Sequence, residues 1–319
     1  MLDWGVAARG IVIGMYHEIA RNKRKSVLVI TVFFLFWIGA GYGIGLLAGR
    51  GQAADGVTGA VIAGILAALA VLYSLTLGRA TILAVSGAKP APREQYPQLY
   101  DIVETLAMGD GLPMPQVYVI NDPSPNAFAT GLSPKSAAIT ATTEILQLMN
   151  REELEGVIGH EMSHVKNFDV RLILIVGTVV ALAGLLASFA WRSLFFARVG
   201  NDRNSGGGII VLIALAVVLS VIALVVGPLM QFSLSRSRES LADASGVELT
   251  RNPAGLLHAL QKLANNDKPF AKMTHVTAAM CIDNPLEHHK GWIHRLYDTH
   301  PPIEERIAAL QRILDVRET

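Results

Sequence analysis

The chain has 319 residues, 51% of them hydrophobic, with only 17% charged residues and a mean hydropathy of +0.41, less charge than an ordinary soluble domain carries. A net charge of +1 gives no global field that would favour nucleic acid. The single cysteine, Cys281, excludes an internal disulfide and fits a reducing compartment for the globular part.

Residues 1–25 end in a basic cluster, Arg21, Lys23, Arg24 and Lys25, and read as a cytoplasmic N-terminal segment. Residues 26–78 hold two uncharged apolar runs, Ser26 to Ala48 and Val57 to Leu77, each near the roughly 20 residues that cross a bilayer core. The first run starts too late and is too long for a cleaved signal peptide. Its Gly39, Gly41, Gly43 and Gly45 lie inside the apolar stretch rather than between a strand and a helix, so they read as helix-packing positions and not as a nucleotide loop. The loop between the runs holds only Arg50 and Asp55, and the basic bias places it outside, returning the chain to the cytoplasm near Arg79.

Residues 79–171 read as the first part of a globular domain. Helical spacing covers Gln95 to Met108 and stops at Gly109-Asp110-Gly111. Val117 to Ile120, Asn126 to Thr130 and Ala137 to Thr142 read as strands, separated by Asn121-Asp122-Pro123 and by Gly131 and Pro134, and predict a small antiparallel sheet. Glu144 to Met149 is a short helix. Asn150 and Glu153 have capping-box spacing and open an amphipathic helix.

Residues 172–230 hold two further apolar runs, Leu172 to Ala190 and Ile209 to Met230. The loop between them carries Arg192, Arg198 and Arg203 against Asp202, contrary to the bias for an external loop, so full crossing and a re-entrant hairpin both stay open. Residues 231–319 form the second part of the globular domain. Its helices are predicted over Ser235 to Leu249, Pro253 to Leu263, and from Pro301-Pro302 to Leu314, the last with Glu304 and Glu305 at its N-terminal dipole. The predicted architecture is thus an α-helical membrane protein with four hydrophobic helices plus an α+β domain.

The chemistry lies in His160-Glu161-Met162-Ser163-His164. Histidines four apart on a helix share a face, so both rings can reach one Zn²⁺, and the glutamate beside them can take a proton from an activated water. Such a site needs a third protein ligand. Glu239 is the candidate, in Glu239-Ser240-Leu241-Ala242-Asp243, where both carboxylates share a helical face. Asp243 can then accept a hydrogen bond from the far nitrogen of a ligand histidine. His164 precedes the third apolar run and Glu239 follows the fourth at similar spacing, so two crossings put them on one side. His288 and His289 remain competing ligands beside Glu287, although adjacent residues diverge on a helix.

At these residues the sequence resembles the HtpX-type membrane metalloproteases, in the gluzincin group that also holds CAAX prenyl and OMA-type proteases. The match runs through Pro125-Asn126-Ala127-Phe128-Ala129-Thr130-Gly131, the HEMSH helix with Val165-Lys166-Asn167, Ser237-Arg238-Glu239 to Asp243, and Thr299-His300-Pro301-Pro302. The CAAX prenyl proteases share the zinc motif but have more spans. The resemblance implies a gluzincin catalytic domain in the cytoplasm of a bacterial inner membrane, one Zn²⁺ per chain with Glu239 as third ligand, and endoproteolysis of misfolded or damaged membrane proteins or unfolded polypeptides. It also implies that Asn126, Ala127, Phe128 and Ala129 form an edge strand for an extended substrate, and that His300 helps stabilise the oxyanion.

Two other classes compete with this reading. A non-catalytic membrane scaffold or chaperone with bound zinc predicts a dispensable Glu161. A zinc transporter would place Asp, Glu or His inside its spans, and all four runs lack them.

Overall fold

The computed structural model describes residues 24, 26–28, 30–46, 51–199, 206–221, 236–265, 281–282 and 302–318. The described residues fall into two compact units. One draws on Arg79–Leu174 and Gln231–Thr319, the other on Arg24–Gly78 and Ile175–Met230.

The apolar unit contains α1 (Ser26–Leu46), most of α2 (Ala53–Val85), most of α6 (Asp169–Val199) and α7 (Gly206–Val221). Helices α1 and α2 approach closely because their facing residues are small. A Cβ on Gly41 would stand 2.5 Å from the Gly59 carbonyl oxygen, and one on Gly45 would meet the Asp55 carbonyl. Gly39 and Gly43 face open space instead, so only half of the glycine series serves this contact. Trp37, Ala63, Ala67, Ala183, Ala187 and Leu219 form one buried cluster of the unit, and Ala190, Leu194 and Ala216 another. The larger apolar side chains point outward, among them Leu28, Leu35, Val61, Ile65, Leu69 and Leu72. Water would penalise such a surface and hydrocarbon would not. The sequence predicts four crossing helices. Among the described residues, two have the length and hydropathy to cross, α1 with 21 residues and α2 with 33. Leu172 to Ala190 is helical within α6. Helix α7 is described over 16 residues, and Ile222 to Met230 lies outside the described residues.

In the other unit, β1 (Lys89–Pro90), β2 (Gln116–Ile120), β3 (Ala127–Thr130) and β4 (Ala138–Thr142) form one sheet in the order β1-β2-β4-β3. The sheet is mixed, which corrects the antiparallel expectation: β2 and β4 are parallel, while β1–β2 and β3–β4 are antiparallel. The chain reverses after β2 and again after β3, so β4 runs in the direction of β2. Because β4 inserts between β2 and β3 rather than outside β3, the parallel pair results. Its residues Ala138–Thr142 are buried throughout, as a central strand of small residues allows. Gly131, at φ +143°, makes the β3–β4 reversal, and any Cβ there would strike the Ser136 carbonyl.

Helix α3 (Pro97–Gly109) follows β1, and α4 (Thr143–Leu148) begins where the Thr142 hydroxyl accepts from the Ile145 N–H. Helix α5 (Arg151–Lys166) starts at the predicted capping box: Asn150 Oδ1 accepts from Glu153 N at 2.9 Å, and Glu153 Oε2 accepts from Asn150 N at 2.8 Å. Lys262 reaches the same Glu153 carboxylate at 2.6 Å. The amphipathic reading of α5 needs correction, since every residue from Gly156 to Val165 is buried. Helix α3 and strands β3 and β4 pack on it, as do α8 (Arg236–Thr250) and α9 (Pro253–Ala264), while α10 (Ile303–Glu318) packs on α9.

Glycines set these crossings. A Cβ on Gly246 of α8 would lie 2.9 Å from His160 N, one on Gly159 2.9 Å from Thr250 Cγ2, and one on Gly156 2.5 Å from Leu256 N. Alanine in place of an interior helical glycine ordinarily stabilises by about 1 kcal/mol. Gly246→Ala is expected to reverse that sign and lower stability by about 1–3 kcal/mol, because it strikes backbone that cannot swing away. Thermal melting of the detergent-solubilised protein checks this. Gly43→Ala, whose Cβ meets nothing, serves as the control and is expected to melt at or above the wild-type temperature.

Candidate metal centre

Helix α5 places His160 and His164 one turn apart, and the close crossing at Gly246 brings α8 alongside with Glu239 facing both rings. The two Nε2 atoms are 3.1 Å apart. Glu239 Oε2 is 3.5 Å from His160 Nε2, and its Oε1 is 3.5 Å from His164 Nε2. One ligand atom from each residue falls within 4.8 Å of the others. Metal–ligand bonds of about 2.0–2.1 Å put tetrahedral zinc ligands roughly 3.3 Å from one another, so the donor set fits a zinc ion.

The far side of each ring is fixed by a carboxylate. His160 Nδ1 donates to Asp243 Oδ1 at 2.8 Å, the partner predicted from the Glu239–Asp243 spacing. His164 Nδ1 donates to Asp169 Oδ2 at 3.0 Å. With each Nδ1 committed to an aspartate, each Nε2 faces the Glu239 carboxylate, where a bound cation would take the place of an Nε2 proton.

Each carboxylate in turn meets an arginine. Arg306 Nε and its terminal nitrogen donate to Asp243 Oδ2 and Oδ1 at 3.0 and 2.7 Å, and Arg238 donates to Asp169 Oδ1 at 3.2 Å. Asp169 reaches back to His164 because Asn167 ends α5 and Phe168 takes φ +60° before α6 starts. A left-handed phenylalanine costs roughly 1–2 kcal/mol, and the Asp169 contacts offset it.

Burial and the Arg306 charge push the His160 ring down, but Asp243 and Glu239 outweigh them and raise it from 6.5 to about 9. Burial likewise opposes the charged His164 ring, and Glu239 and Asp169 overcome it, so its pKa also rises. Burial raises the Asp243 carboxyl, yet Arg306 and His160 hold it well below the usual carboxylate range.

Glu161, also buried, accepts a hydrogen bond from Ala129 N at 2.9 Å. The edge strand and the predicted base therefore touch. Ala127 and Ala129 direct backbone groups away from β4: Ala127 N donates to Asn126 Oδ1, and Ala127 O accepts from Ile282 N at 3.1 Å. Cys281 forms an isolated bridge with Phe128. The side chains of Asn126 and Phe128 are buried, Phe128 with Ile82, Ile120, Leu174 and Cys281.

His300, His288 and His289 lie outside the described residues. Sequence reasoning missed Asp169, Arg238, Arg306 and the Ala129 contact. Arg238 stands next to Glu239 in the quoted motif, which was its one available signal.

The chain's residues 93–314 match the family model of peptidase family M48. A protease HtpX homologue of Ligilactobacillus salivarius is 43% identical over 310 residues, which is 94% of this chain and 100% of that one. Homologues from Listeria monocytogenes serotype 4a and Streptococcus gordonii are 39% and 40% identical over the same shares. The crystal structure of S. mikatae Ste24p aligns with a TM-score of 0.47 and 21% identity, over 77% of this chain and 57% of that one. With the family's domain filling residues 93–314 around the HExxH helix, the chain belongs to peptidase family M48 and is a metalloprotease.

Proposed function

We propose that the protein holds one zinc ion on His160, His164 and Glu239, and cleaves misfolded or damaged membrane proteins, or unfolded polypeptides, at the cytoplasmic face of a bacterial inner membrane. The observation that carries this is the convergence of three ligand atoms beside a glutamate already held by a strand N–H. Bound zinc supplies a Lewis acid that acidifies water and polarises a carbonyl. Glu161 takes the proton from the attacking water and delivers it to the leaving amine. The Ala129 N–H aims the Glu161 carboxylate, and Asp243 and Asp169 hold both rings in the tautomer whose Nε2 is free to bind metal. The Asn126–Ala129 segment is the strand beside which an extended substrate lies, and His300 supports the oxyanion. Orientation rests on the basic residues before α1, and the apolar helices anchor the chain in the bilayer. A non-catalytic scaffold with bound zinc has no use for a positioned base.

Glu161→Gln is expected to keep zinc binding and melting behaviour while lowering cleavage of a model membrane protein by at least about 10³-fold. Turnover near the wild-type rate would remove Glu161 from the mechanism. Zinc uptake at neutral pH is expected to release protons, because the His160 ring, raised to about 9 without metal, must lose a proton to bind it. Calorimetry in buffers of different ionisation enthalpy measures that release, and proton-neutral uptake would contradict it.

A further inference from the structure

Arg306 lies in α10, far along the chain from both halves of the metal centre, yet its side chain is buried within it. One guanidinium makes two parallel bonds to Asp243. A further nitrogen donates to the Ile282 carbonyl at 3.1 Å. A terminal nitrogen stands 3.3 Å from His160 Nδ1, but that ring position already donates to Asp243, so the contact fixes distance rather than adding a bond. Ile282 N donates to Ala127 O on β3, two residues from the N–H that holds Glu161.

We infer that Arg306 is a positioning residue that ties the His160–Asp243 pair to the β3 edge through Ile282, so that the metal ligand and the strand holding Glu161 keep one fixed spacing. The inference rests on the proposed zinc site. Asp243 Oδ1 must accept from both His160 and Arg306, and only a planar fork can clamp both carboxylate oxygens while its third nitrogen reaches the carbonyl. A lysine at 306 would keep the charge and lose the fork. A buried carboxylate no longer clamped can turn, and the imidazole turns with it.

The test is zinc affinity of the full-length protein in detergent, by competition with a chromophoric chelator, together with amide exchange at Ile282. Arg306→Lys is expected to leave the metal-free melting temperature near wild type, to weaken zinc binding about 10–100-fold, and to speed exchange at Ile282. Asp243→Asn/Arg306→Met removes the pair without stranding a buried charge, and is expected to weaken zinc to a similar extent if the lysine variant fails to fold. Wild-type zinc affinity in a folded Arg306→Lys protein, or in the double variant, overturns the inference. So does unchanged exchange at Ile282. His160→Ala separates the two levels. If it binds zinc as tightly as wild type, the metal site itself is wrong. If it loses zinc while the Arg306 variants keep it, only the role of Arg306 fails.

Discussion

The backbone contact between α5 and α8 is the constraint on which the rest of the site depends. Two helices with ordinary side chains at the crossing keep their axes 8–10 Å apart. Gly159 and Gly246 remove the side chains at that point, and the helices settle at a separation where a single added methyl group would collide with main chain. Glu239 lies two turns before Gly246 on α8, so the same crossing delivers its carboxylate to His160 and His164. Gly156 repeats the device against α9. A metal site of this kind tolerates errors of a few tenths of an ångström, and backbone-limited contacts are the stiffest means a protein has to supply that tolerance.

Such tight packing places polar groups in deep burial, where unpaired donors and charges are costly. The structure answers with two parallel chains of contacts. His160 leans on Asp243 and Arg306, and His164 on Asp169 and Arg238. Each aspartate is neutralised by an arginine while it holds a ring, and each ring keeps its outer nitrogen turned to Glu239. The same division of labour recurs at Glu153, which caps its own helix and pairs with Lys262. Breaking any one of the ion pairs would strand a charge whose partner lies on a different helix.

Much of this was legible from residue order. The capping box at Asn150 and Glu153 located the start of α5, and the four-residue spacing of His160 and His164 defined the face they share. The Glu239–Asp243 spacing marked a shared helical face, and the position of Glu239 after the fourth apolar run, with the family resemblance, made it the candidate. Strand positions were legible as well, but strand order was not, because counting reversals gives direction without saying which strand lies between the others. Asp169 was hidden for a different reason: its reach depends on a left-handed Phe168, a conformation that no residue-type rule assigns to phenylalanine. Arg306 follows the exposed Glu304 and Glu305, yet its spacing from Ile303 and Leu310 sets it beside the packed face of α10. What periodicity within the segment does not reveal is its partner, Asp243, which lies on another helix.

The order of the site residues along the chain has a consequence for biosynthesis. His160, Glu161 and His164 emerge from the ribosome before the third and fourth apolar runs, whereas Glu239, Asp243 and Arg306 emerge after them. A nascent chain halted anywhere in between holds Glu161 and two imidazoles but neither Glu239 nor the groups that clamp His160. Closing the site must therefore wait until the intervening hydrophobic segment has been synthesised. The proposed centre can be completed only late in synthesis, so an incomplete chain lacks Glu239 while it is still close to other emerging polypeptides.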